Sequence, residues 1–554
     1  MLKLNDRGWV VWIVVLALLL LLPGIFHLPL IDRDEPRFAR AAVEMLERGD
    51  FFVPRFNGEY RFDKPPLTYW LMFPGLAVWG ESEWLVRLPS VLSALGCGLL
   101  IFYLARRMGV GRNMAALAAM GWLSCLQVMI HGRISLADMH LCFFLVLTML
   151  ALRELRESGG GWRSRWFHVL WLAMGFGFLA KGPLALVLPL IALLCVAALE
   201  RWKVEPTERR AGGLLRMWLM AVPGALVLVA LWGLPALWMT HGLYFDVGIG
   251  THVVDRGLEG FNQRKHVPVV YYPLMLLFFI APWTSMLPRL WAGRQGMNGQ
   301  DLYLAGWVLA PFLVFTFYAT QLPHYILPGY PALFLLFARR CGEGRMAVWM
   351  KVAVAVPVVL FSVLGGAMWW GATRAGELDA GMAAMLFWLG GVMILLAGAS
   401  VLVMSRRYLA AVCAMVGVAG CMQMGSIYAG ELHVVKRLAA ELGGEVERPA
   451  SAGFAEPSLV WYASQKWTFA SQMDEAADLQ VVAGRRWRLD DRTLSAIWKR
   501  ETPQPVRRKQ GGSLDEVPQG AASVTGWSIA DGSWVELFYW RNEKDSAVGG
   551  GDGR

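Results

Sequence analysis

Two short clusters of charged residues follow the first apolar segment of the chain, and they contain the residue types that perform acid–base and phosphate chemistry. The first is the acidic pair Asp34-Glu35, and the second is Asp63-Lys64. Carboxylates can act as general bases or hold a divalent metal ion, whereas a lysine can bind phosphate. A desolvated charge beside a bilayer has to be paired or to bind a ligand. The stretch 31–83 is therefore the first candidate for a catalytic loop.

Each cluster also has a structural interpretation. Asp34 and Glu35 would cap the helix expected over 37–48, because acidic residues are favourable at the amino-terminal end of a helix. Asp63 and Lys64 precede two prolines that fix an extended chain, and they would then form a turn at the membrane interface. The residues alone leave both interpretations open.

Polar residues recur at the ends of later apolar segments. Asp138 lies near a membrane edge, where a lone acid needs a partner, and Arg133 is the simplest structural partner for it. Lys181 lies in a tight turn, where it either binds a phosphate or extends its side chain to the interface.

Two more stretches offer ligands for phosphate or metal. His252 and Arg256 are four residues apart, so on a helix they share one face. That face offers one metal ligand and one phosphate clamp, although a single histidine is more often structural. His324 and Tyr325 lie in the proline-flanked turn 321–328, where they either bond phosphate oxygens or belong to an aromatic belt.

Composition places the chain among polytopic membrane proteins. Of its 554 residues, 56% are hydrophobic and 17% are charged, and the mean hydropathy is +0.44. The net charge of +10 comes from the part before residue 430, where cytoplasmic loops of membrane proteins carry such an excess, so no nucleic-acid partner is expected. The 7 cysteines lie in or beside apolar segments, which argues against a disulfide framework or a cysteine metal site.

Apolar segments of spanning length predict about 13 transmembrane helices. They are 9–30, 84–105, 113–130, 136–152, 166–180, 183–199, 217–239, 267–288, 302–320, 325–338, 349–370, 382–403 and 409–429. The loops after every second span are rich in arginine, so we expect them to be cytoplasmic. The loop 31–83 and the tail after residue 430 then lie on the opposite, extracytoplasmic side of the inner (plasma) membrane.

The tail is expected to form a small α/β domain. It contains strand-like runs at Ser458–Tyr462, Leu479–Val482 and Ser533–Trp540 and a helix-like stretch near Asp490–Lys499. Its Gly-rich end after Asn542 is typical of disorder. The predicted architecture is an α-helical polytopic membrane domain over 1–430, with its first outer loop over 31–83, followed by an extracytoplasmic α/β domain over 431–554.

Taken in order, the motifs resemble one family. They are Asp34-Glu35-Pro36-Arg37-Phe38-Ala39, Gly49-Asp50 to Gly58, Phe62–Trp70, Arg87-Leu88-Pro89-Ser90, Lys181-Gly182-Pro183, His252 with Arg256, and Leu322–Pro331. This pattern is similar to that of the polyprenyl-phosphate-sugar-dependent glycosyltransferases of the GT-C superfamily, which include the aminoarabinose lipid A transferases and protein-mannosyltransferase-like enzymes. The resemblance implies a GT-C fold. It also implies transfer of a sugar from a polyprenyl-phosphate donor in the membrane to an extracytoplasmic acceptor, such as lipid A, another glycolipid or glycan, or a protein.

The residues and the resemblance together assign the site. The predicted catalytic residues are Asp34, Glu35 and Asp138. The predicted substrate-binding residues are Lys64, Arg133, Lys181, Arg256, His324 and Tyr325. The resemblance implies that Asp63 and His252 hold one divalent metal ion. Two positions depart from the family pattern: Thr251 stands where the family often has Glu, and Gln321 stands where it often has Lys or Arg.

The alternative function is a transporter or flippase for an anionic lipid or a lipid-linked sugar. A transporter needs access from both sides and polar groups near the bilayer midplane. The middle of each predicted span here is nearly free of charge, and the polar groups crowd one face. The sequence therefore favours the glycosyltransferase.

Overall fold

The protein is mostly helical, with a small sheet near its carboxyl terminus. The computed structural model describes residues 4–255, 269–293, 295–340, 348–375, 379–443, 446–463, 466–470, 474, 477–488, 517–529 and 532–541. The α-helical polytopic membrane fold with a small C-terminal sheet is confirmed. The helix predicted near Asp490–Lys499 lies outside the described residues.

The helices follow one another along almost the whole chain. They are α1 Asp6–Leu21, α2 Glu35–Arg48, α3 Leu67–Trp79, α4 Glu83–Arg107, α5 Arg112–Ser124, α6 Leu126–His131, α7 Ala137–Ser158, α8 Arg165–Lys181, α9 Leu184–Lys203, α10 Ala211–Met239, α11 Leu243–Phe245, α12 Tyr271–Phe279, α13 Met286–Ala292, α14 Gly299–Thr316, α15 Tyr330–Arg340, α16 Val348–Ala375, α17 Ala380–Met404, α18 Tyr408–Leu432, α19 Val434–Leu442 and α20 Ser458–Tyr462. A π-helix over Asp246–Asp255 continues α11.

Most predicted spans correspond to single helices. The segment 113–130 instead forms α5 and α6, and the segment 325–338 begins within a 3-10 helix over Pro323–Gly329. Two further segments differ more strongly. Helix α1 ends at Leu21 rather than near residue 30, because Pro23 cannot continue its hydrogen bonds. The span predicted over 267–288 is broken into two helices that are bent by 119°. Within the described ranges, 6 helices are long and apolar enough to cross a membrane, or 7 with the bent pair counted as one span, so the count of about 13 is not confirmed.

The two ends of the helical bundle differ in chemistry. Residues of the arginine-rich loops meet at one end, where Arg107 pairs with Glu154 at 2.5 Å and Arg339 pairs with Asp301 at 2.8 Å. Helix α4 connects this end to the other, because its 25 residues span about 37 Å. At the far end of α4, Glu83 pairs with Lys436 of the C-terminal domain at 2.6 Å.

The first loop, residues 31–83, lies at the same end as the C-terminal domain. It contains α2, α3 and a hairpin of strands β1 Arg55–Phe56 and β2 Glu59–Tyr60. Asn57 and Gly58 form the turn with positive φ angles of 57° and 82°, as an Asn-Gly hairpin requires.

The C-terminal domain contains a sheet of five strands in the order β4-β3-β5-β7-β6. They are β3 Pro449–Ala452, β4 Thr468–Ala470, β5 Leu479–Arg488, β6 Ala522–Ser528 and β7 Ser533–Arg541. Strand β3 is parallel to β4 and β5, while β7 is antiparallel to β5 and β6. The strands predicted at Leu479 and Ser533 are confirmed.

The strand predicted over Ser458–Tyr462 is wrong, because these residues form helix α20. Pro457 occupies the N-cap position of this helix, and Leu459 and Val460 are buried in the core of the domain. A five-residue apolar run is compatible with either a strand or a helix. Its packing into the core of the domain, and not its sequence pattern, therefore determines which of the two forms.

One buried ion pair fixes the start of the first loop to the bundle. Arg87 of α4 is 0% exposed and donates to both carboxylate oxygens of Glu35, at 3.0 and 2.7 Å. Its remaining N–H groups donate to the backbone carbonyls of Ile25, Leu28 and Pro29. Both charges are therefore compensated inside the protein.

We expect Glu35→Ala to lower the stability of the protein by about 3–5 kcal/mol, because it leaves the guanidinium of Arg87 buried without a counter-charge. The measurement is thermal unfolding of the purified protein in detergent. As the matched control, Asp6→Ala breaks an exposed pair with Arg112 and should change stability by about 0–1 kcal/mol. Equal unfolding temperatures for the two variants would contradict the structural role of this pair.

Candidate active site

Asp34 is an exposed carboxylate of the first loop. It stands at the N-cap position of α2, but its side chain makes no capping hydrogen bond and its backbone is already helical. The cap interpretation therefore does not apply to this side chain. Its carboxylate faces the solvent side of the loop and is available to a substrate.

The prediction that Glu35 is catalytic is contradicted by its surroundings. Both carboxylate oxygens are bonded to Arg87, and they also accept hydrogen bonds from the backbone N–H groups of Ile31 and Ser135, at 2.8 and 2.6 Å. The residue is 1% exposed. A carboxylate surrounded by four donors cannot approach a substrate, so Glu35 is structural.

Two arginines connect Asp34 with Asp63. Arg61 pairs with Asp63 at 3.2 Å and donates to the hydroxyl of Tyr69 at 3.1 Å. Burial lowers the pKa of Arg37, the nearby Arg61 lowers it further, and the negative charges of Asp34 and Asp63 act against both effects. Arg37 therefore lies in the field of both acids, and the two clusters found in the sequence form one site.

Lys64 is held at the mouth of a cavity. Its backbone carbonyl accepts a hydrogen bond from Tyr244 at 2.7 Å, and its ammonium donates to the carbonyl of Asp63 at 2.9 Å. The cavity has a volume of about 460 Å³ and lies between the first loop, α8, α9, α10 and the segment 314–325.

The lining of this cavity combines a few polar side chains with mostly apolar walls. The polar side chains include those of Asp63, Lys64, Lys181 and Tyr325. The walls include Phe178, Leu184, Val187, Val229, Trp232, Leu237 and Phe315. A long apolar chain with a charged head fits such a cavity.

Asp138 and Lys181 form an ion pair beside the cavity. The ammonium of Lys181 donates to Asp138 and lies 5.6 Å from the ring of Tyr325. His324 places Nε2 at 3.6 Å from the same carboxylate oxygen. The structure thus brings together four of the predicted site residues from three separate parts of the chain.

Arg133, predicted to bind substrate or to pair with Asp138, does neither. It is 4% exposed and donates to the backbone carbonyl of Leu20 and to the sulfur of Met422. Helix α1 ends near this point, so the guanidinium satisfies a carbonyl that the helix leaves without an intrahelical donor. Lys181 takes the place of Arg133 as the partner of Asp138.

The metal prediction rests partly on residues outside the described set. The backbone of His252 belongs to the π-helix Asp246–Asp255, whereas its side chain and all of Arg256 lie beyond what the structure describes. A Cβ atom added to Gly248 of this helix would lie 3.1 Å from the carbonyl oxygen of Phe62, so the helix packs directly beside Asp63. Among the described side chains, no group of three potential ligands is close enough to hold a metal ion.

Sequence reasoning missed three residues of the site. Arg37 and Arg61 were present in the motifs around Asp34 and Asp63, and arginines so close to acids were a usable signal. His131 stacks on His324 with ring centroids 4.6 Å apart. No spacing rule connects positions so far apart in the chain.

Comparisons with known proteins identify the family and the fold of the chain. Residues 63–232 match the family described as dolichyl-phosphate-mannose-protein mannosyltransferase. The undecaprenyl phosphate-alpha-4-amino-4-deoxy-L-arabinose arabinosyl transferase of Edwardsiella ictaluri is 32% identical over 427 residues, which are 72% of this chain and 73% of that protein. The transferase of the same name from Erwinia tasmaniensis is 31% identical over 394 residues, which are 66% of this chain and 68% of that protein.

Solved structures show the same fold. ArnT from Cupriavidus metallidurans in the apo state superposes with a TM-score of 0.69 and 19% identity, covering 96% of this chain and 98% of that one. The same protein bound to undecaprenyl phosphate gives a TM-score of 0.71 and 20% identity, covering 97% and 98%. A buried ion pair, an exposed carboxylate and an apolar cavity lined by two lysines thus occur on a GT-C fold, and the chain belongs to the undecaprenyl phosphate-aminoarabinose arabinosyl transferase family of membrane glycosyltransferases.

Proposed function

We propose that this enzyme transfers 4-amino-4-deoxy-L-arabinose from undecaprenyl phosphate to an extracytoplasmic acceptor such as lipid A. The single observation that carries the proposal is the cavity of about 460 Å³ whose walls are mostly apolar and whose lining includes the cations Lys64 and Lys181. Family membership favours this enzyme over the transporter or flippase considered from the sequence. The proposed sugar, 4-amino-4-deoxy-L-arabinose, is the one that appears in the name of the related transferases.

The cavity suits the lipid-linked donor. A polyprenyl chain is entirely apolar and would lie against walls such as those of α10, where burial of apolar surface contributes about 25 cal/mol per Å². The phosphate would lie between Lys64, Lys181 and the hydroxyl of Tyr325, with Arg256 as a further candidate ligand. A protein of the same fold binds undecaprenyl phosphate, which supports this placement.

Asp34 is the proposed general base. An acceptor hydroxyl would give its proton to Asp34 while its oxygen forms a bond to the anomeric carbon of the sugar. The bond from that carbon to the phosphate oxygen breaks, and undecaprenyl phosphate leaves with the bonding electrons. Asp138 holds Lys181 in place beside the leaving phosphate and is a positioning residue in this scheme.

We propose that Asp63 and His252 together hold a divalent metal ion. The carboxylate of Asp63 lines the cavity, and the backbone of the helix that carries His252 packs on the neighbouring Phe62. Carboxylate oxygen and imidazole nitrogen are both ligands of divalent metals, and the side chain of His252 lies outside the described residues. An ion held by Asp63 and His252 would supply positive charge for the donor phosphate.

The proposal is tested with purified protein in liposomes, an undecaprenyl-phosphate-linked aminoarabinose donor and lipid A. Mass spectrometry should detect lipid A that carries one added aminoarabinose residue. Replacing the donor by its mannose or glucose counterpart should abolish the product. A product formed equally well from all three donors would contradict the proposed sugar.

We expect Asp34→Asn to abolish transfer, because the amide keeps the shape of the side chain but cannot accept a proton at neutral pH. The rate is measured in the same liposome assay, with expression and thermal unfolding as checks of folding. Glu59→Gln is the matched control, since Glu59 is an exposed carboxylate of the same loop outside the site. Near-normal turnover of the Asp34 variant would remove Asp34 from the catalytic role.

We expect Gly233→Leu to block binding of the donor without unfolding the protein. Gly233 lines the cavity from α10, and a Cβ atom there would enter open space, so the leucine side chain would occupy the donor's volume. The measurement is a binding titration with undecaprenyl phosphate. Gly213→Leu, on the same helix and also facing open space but away from the cavity, should bind normally. Equal affinities of the two variants would contradict the donor site.

We further propose that the first loop and the C-terminal domain face the periplasm. A cysteine introduced at Glu59, which is exposed in the first loop, should react in spheroplasts with a thiol reagent that cannot cross membranes. A cysteine at Gly161, in an arginine-rich loop at the opposite end of the bundle, should react only after lysis. The reverse pattern would invert the orientation of the active site.

A further inference from the structure

The C-terminal domain contacts the first loop on the amino-terminal side of Asp34. The hydroxyl of Tyr462 accepts a hydrogen bond from the backbone N–H of Leu30 at 2.8 Å and donates to Glu83 at 3.3 Å. Lys436 of the same domain pairs with Glu83 at 2.6 Å and lies 5.0 Å from the ring of Tyr462. A single tyrosine thus joins the backbone entering the loop to the first residue of α4.

A second contact lies closer to Asp34. The carboxylate of Asp32 accepts a hydrogen bond from the backbone N–H of Ser458 at 2.9 Å, and its side chain is 2% exposed. Asp32 is only two residues before Asp34, which is exposed. Asp32 is therefore buried against the C-terminal domain, whereas Asp34, the candidate base two residues later, is exposed.

A third contact holds the hairpin of the loop. Asn57 donates from its side-chain amide to the carbonyl of Trp467 and accepts from the N–H of the same residue, both at 2.8 Å. Phe56 packs against the core of the C-terminal domain. The domain therefore contacts the loop before Asp34 and again at the hairpin that follows α2.

We propose that the C-terminal domain is a positioning element of the active site, in which Asp32 and Tyr462 are positioning residues that hold the backbone preceding Asp34. This inference rests on the catalytic role proposed for Asp34. The groups that would touch the donor and the acceptor all belong to the membrane domain and the first loop, so the C-terminal domain acts through the backbone that it holds.

The physical reason is the lack of regular structure before Asp34. Residues 28–31 contain no helix or strand, so single contacts rather than a backbone ladder hold this segment. The pair of Glu35 with Arg87 fixes the residue after Asp34 and bonds Leu28, Pro29 and Ile31. Tyr462 and Asp32 add contacts to Leu30 and to the residue two positions before Asp34. A displacement of about 1 Å in a reacting group can lower a rate by about 100-fold, so both sides of Asp34 have to be held.

The contact of Asp32 also depends on pH. Burial and the nearby Glu456 raise the pKa of Asp32 to about 7, although the bond from Ser458 and the charge of Arg37 act in the opposite direction. Burial lowers the pKa of His433, 4.0 Å from Asp32, to about 3, so His433 is neutral near pH 7. The neighbouring charges are those of Arg33, which lies 3.9 Å from Glu456, and of Arg37.

The sign of the effect follows from that raised pKa. The pKa of Asp32 is higher when the residue is buried against the C-terminal domain than when it is free in water. The neutral carboxyl group therefore stabilises this contact fully at a pH below the ordinary pKa of an aspartate, and the stabilisation is lost as the pH rises through about 7. The position of Asp34 is thus best fixed with neutral Asp32. In the variant Asp32→Asn, the side-chain amide oxygen would accept the same hydrogen bond from Ser458, and the side chain could not ionise.

The first experiment separates turnover from donor binding. Tyr462→Phe keeps the ring but removes both hydrogen bonds, and Asp32→Ala removes the carboxylate. Each should lower turnover in the liposome assay by about tenfold or more while the affinity for undecaprenyl phosphate stays unchanged, because neither residue lines the cavity. Arg448→Gln is the control, since it breaks only an exposed pair with Asp478 elsewhere in the same domain.

The second experiment is a pH profile, which a purely structural role would not change. Between about pH 6 and pH 8, turnover of the wild type should fall relative to that of Asp32→Asn, and this variant should equal the wild type at the acidic end. A profile of Asp32→Asn that follows the wild type, or normal turnover of both Tyr462→Phe and Asp32→Ala, would overturn the inference. If the wild type transfers no aminoarabinose, the proposed function fails, and if Asp34→Asn is active, the catalytic role of Asp34 fails together with this inference. If the wild type is active and Asp34→Asn is inactive while the positioning variants work normally, only the inference fails.

Discussion

The buried pair of Arg87 and Glu35 is the interaction on which the site depends. An isolated charge buried beside a membrane domain is very unfavourable, so each of these residues requires the other. Arg87 belongs to a spanning helix, whereas Glu35 opens the first helix of the loop. Their contact therefore connects a long helix of the membrane domain to the start of the first loop. Asp34 is placed outside the protein because the next residue is held inside it.

This arrangement explains why the sequence could not separate the roles of two adjacent acids. Successive residues on a helix are rotated by about 100°, so one can face the protein while its neighbour faces solvent. Asp34 and Glu35 share their chemistry and their motif, and the distinction lies in Arg87, which is 52 residues away. The same limit applies to Lys181. Its partner is Asp138, which is 43 residues away, and no spacing in the sequence indicates that pair.

Hydrophobic segments, in contrast, were readable from the sequence. The length of a spanning helix is set by the bilayer, so the bounds of α4, α17 and α18 follow from composition within a few residues. Short apolar runs carry less information, and α20 was mistaken for a strand because five residues fit either structure. Arg133 could not be placed either, since the carbonyl it satisfies belongs to a helix end more than 100 residues away.

In the proposed mechanism, the two lysines that line the cavity contribute to catalysis as well as to binding of the donor. A lipid phosphodiester carries one negative charge, whereas the departing phosphate carries nearly two, so the charge beside Lys64 and Lys181 grows as the bond breaks. Fixed cations stabilise that growing charge more than the bound donor, which lowers the barrier rather than only raising affinity. Such cations have to be held in place before the donor arrives. Asp138 does this for Lys181, and Tyr244 does it for the backbone of Lys64. In the proposed mechanism, Asp138 and Tyr244 therefore contribute to catalysis by holding the two lysines, although they touch no substrate.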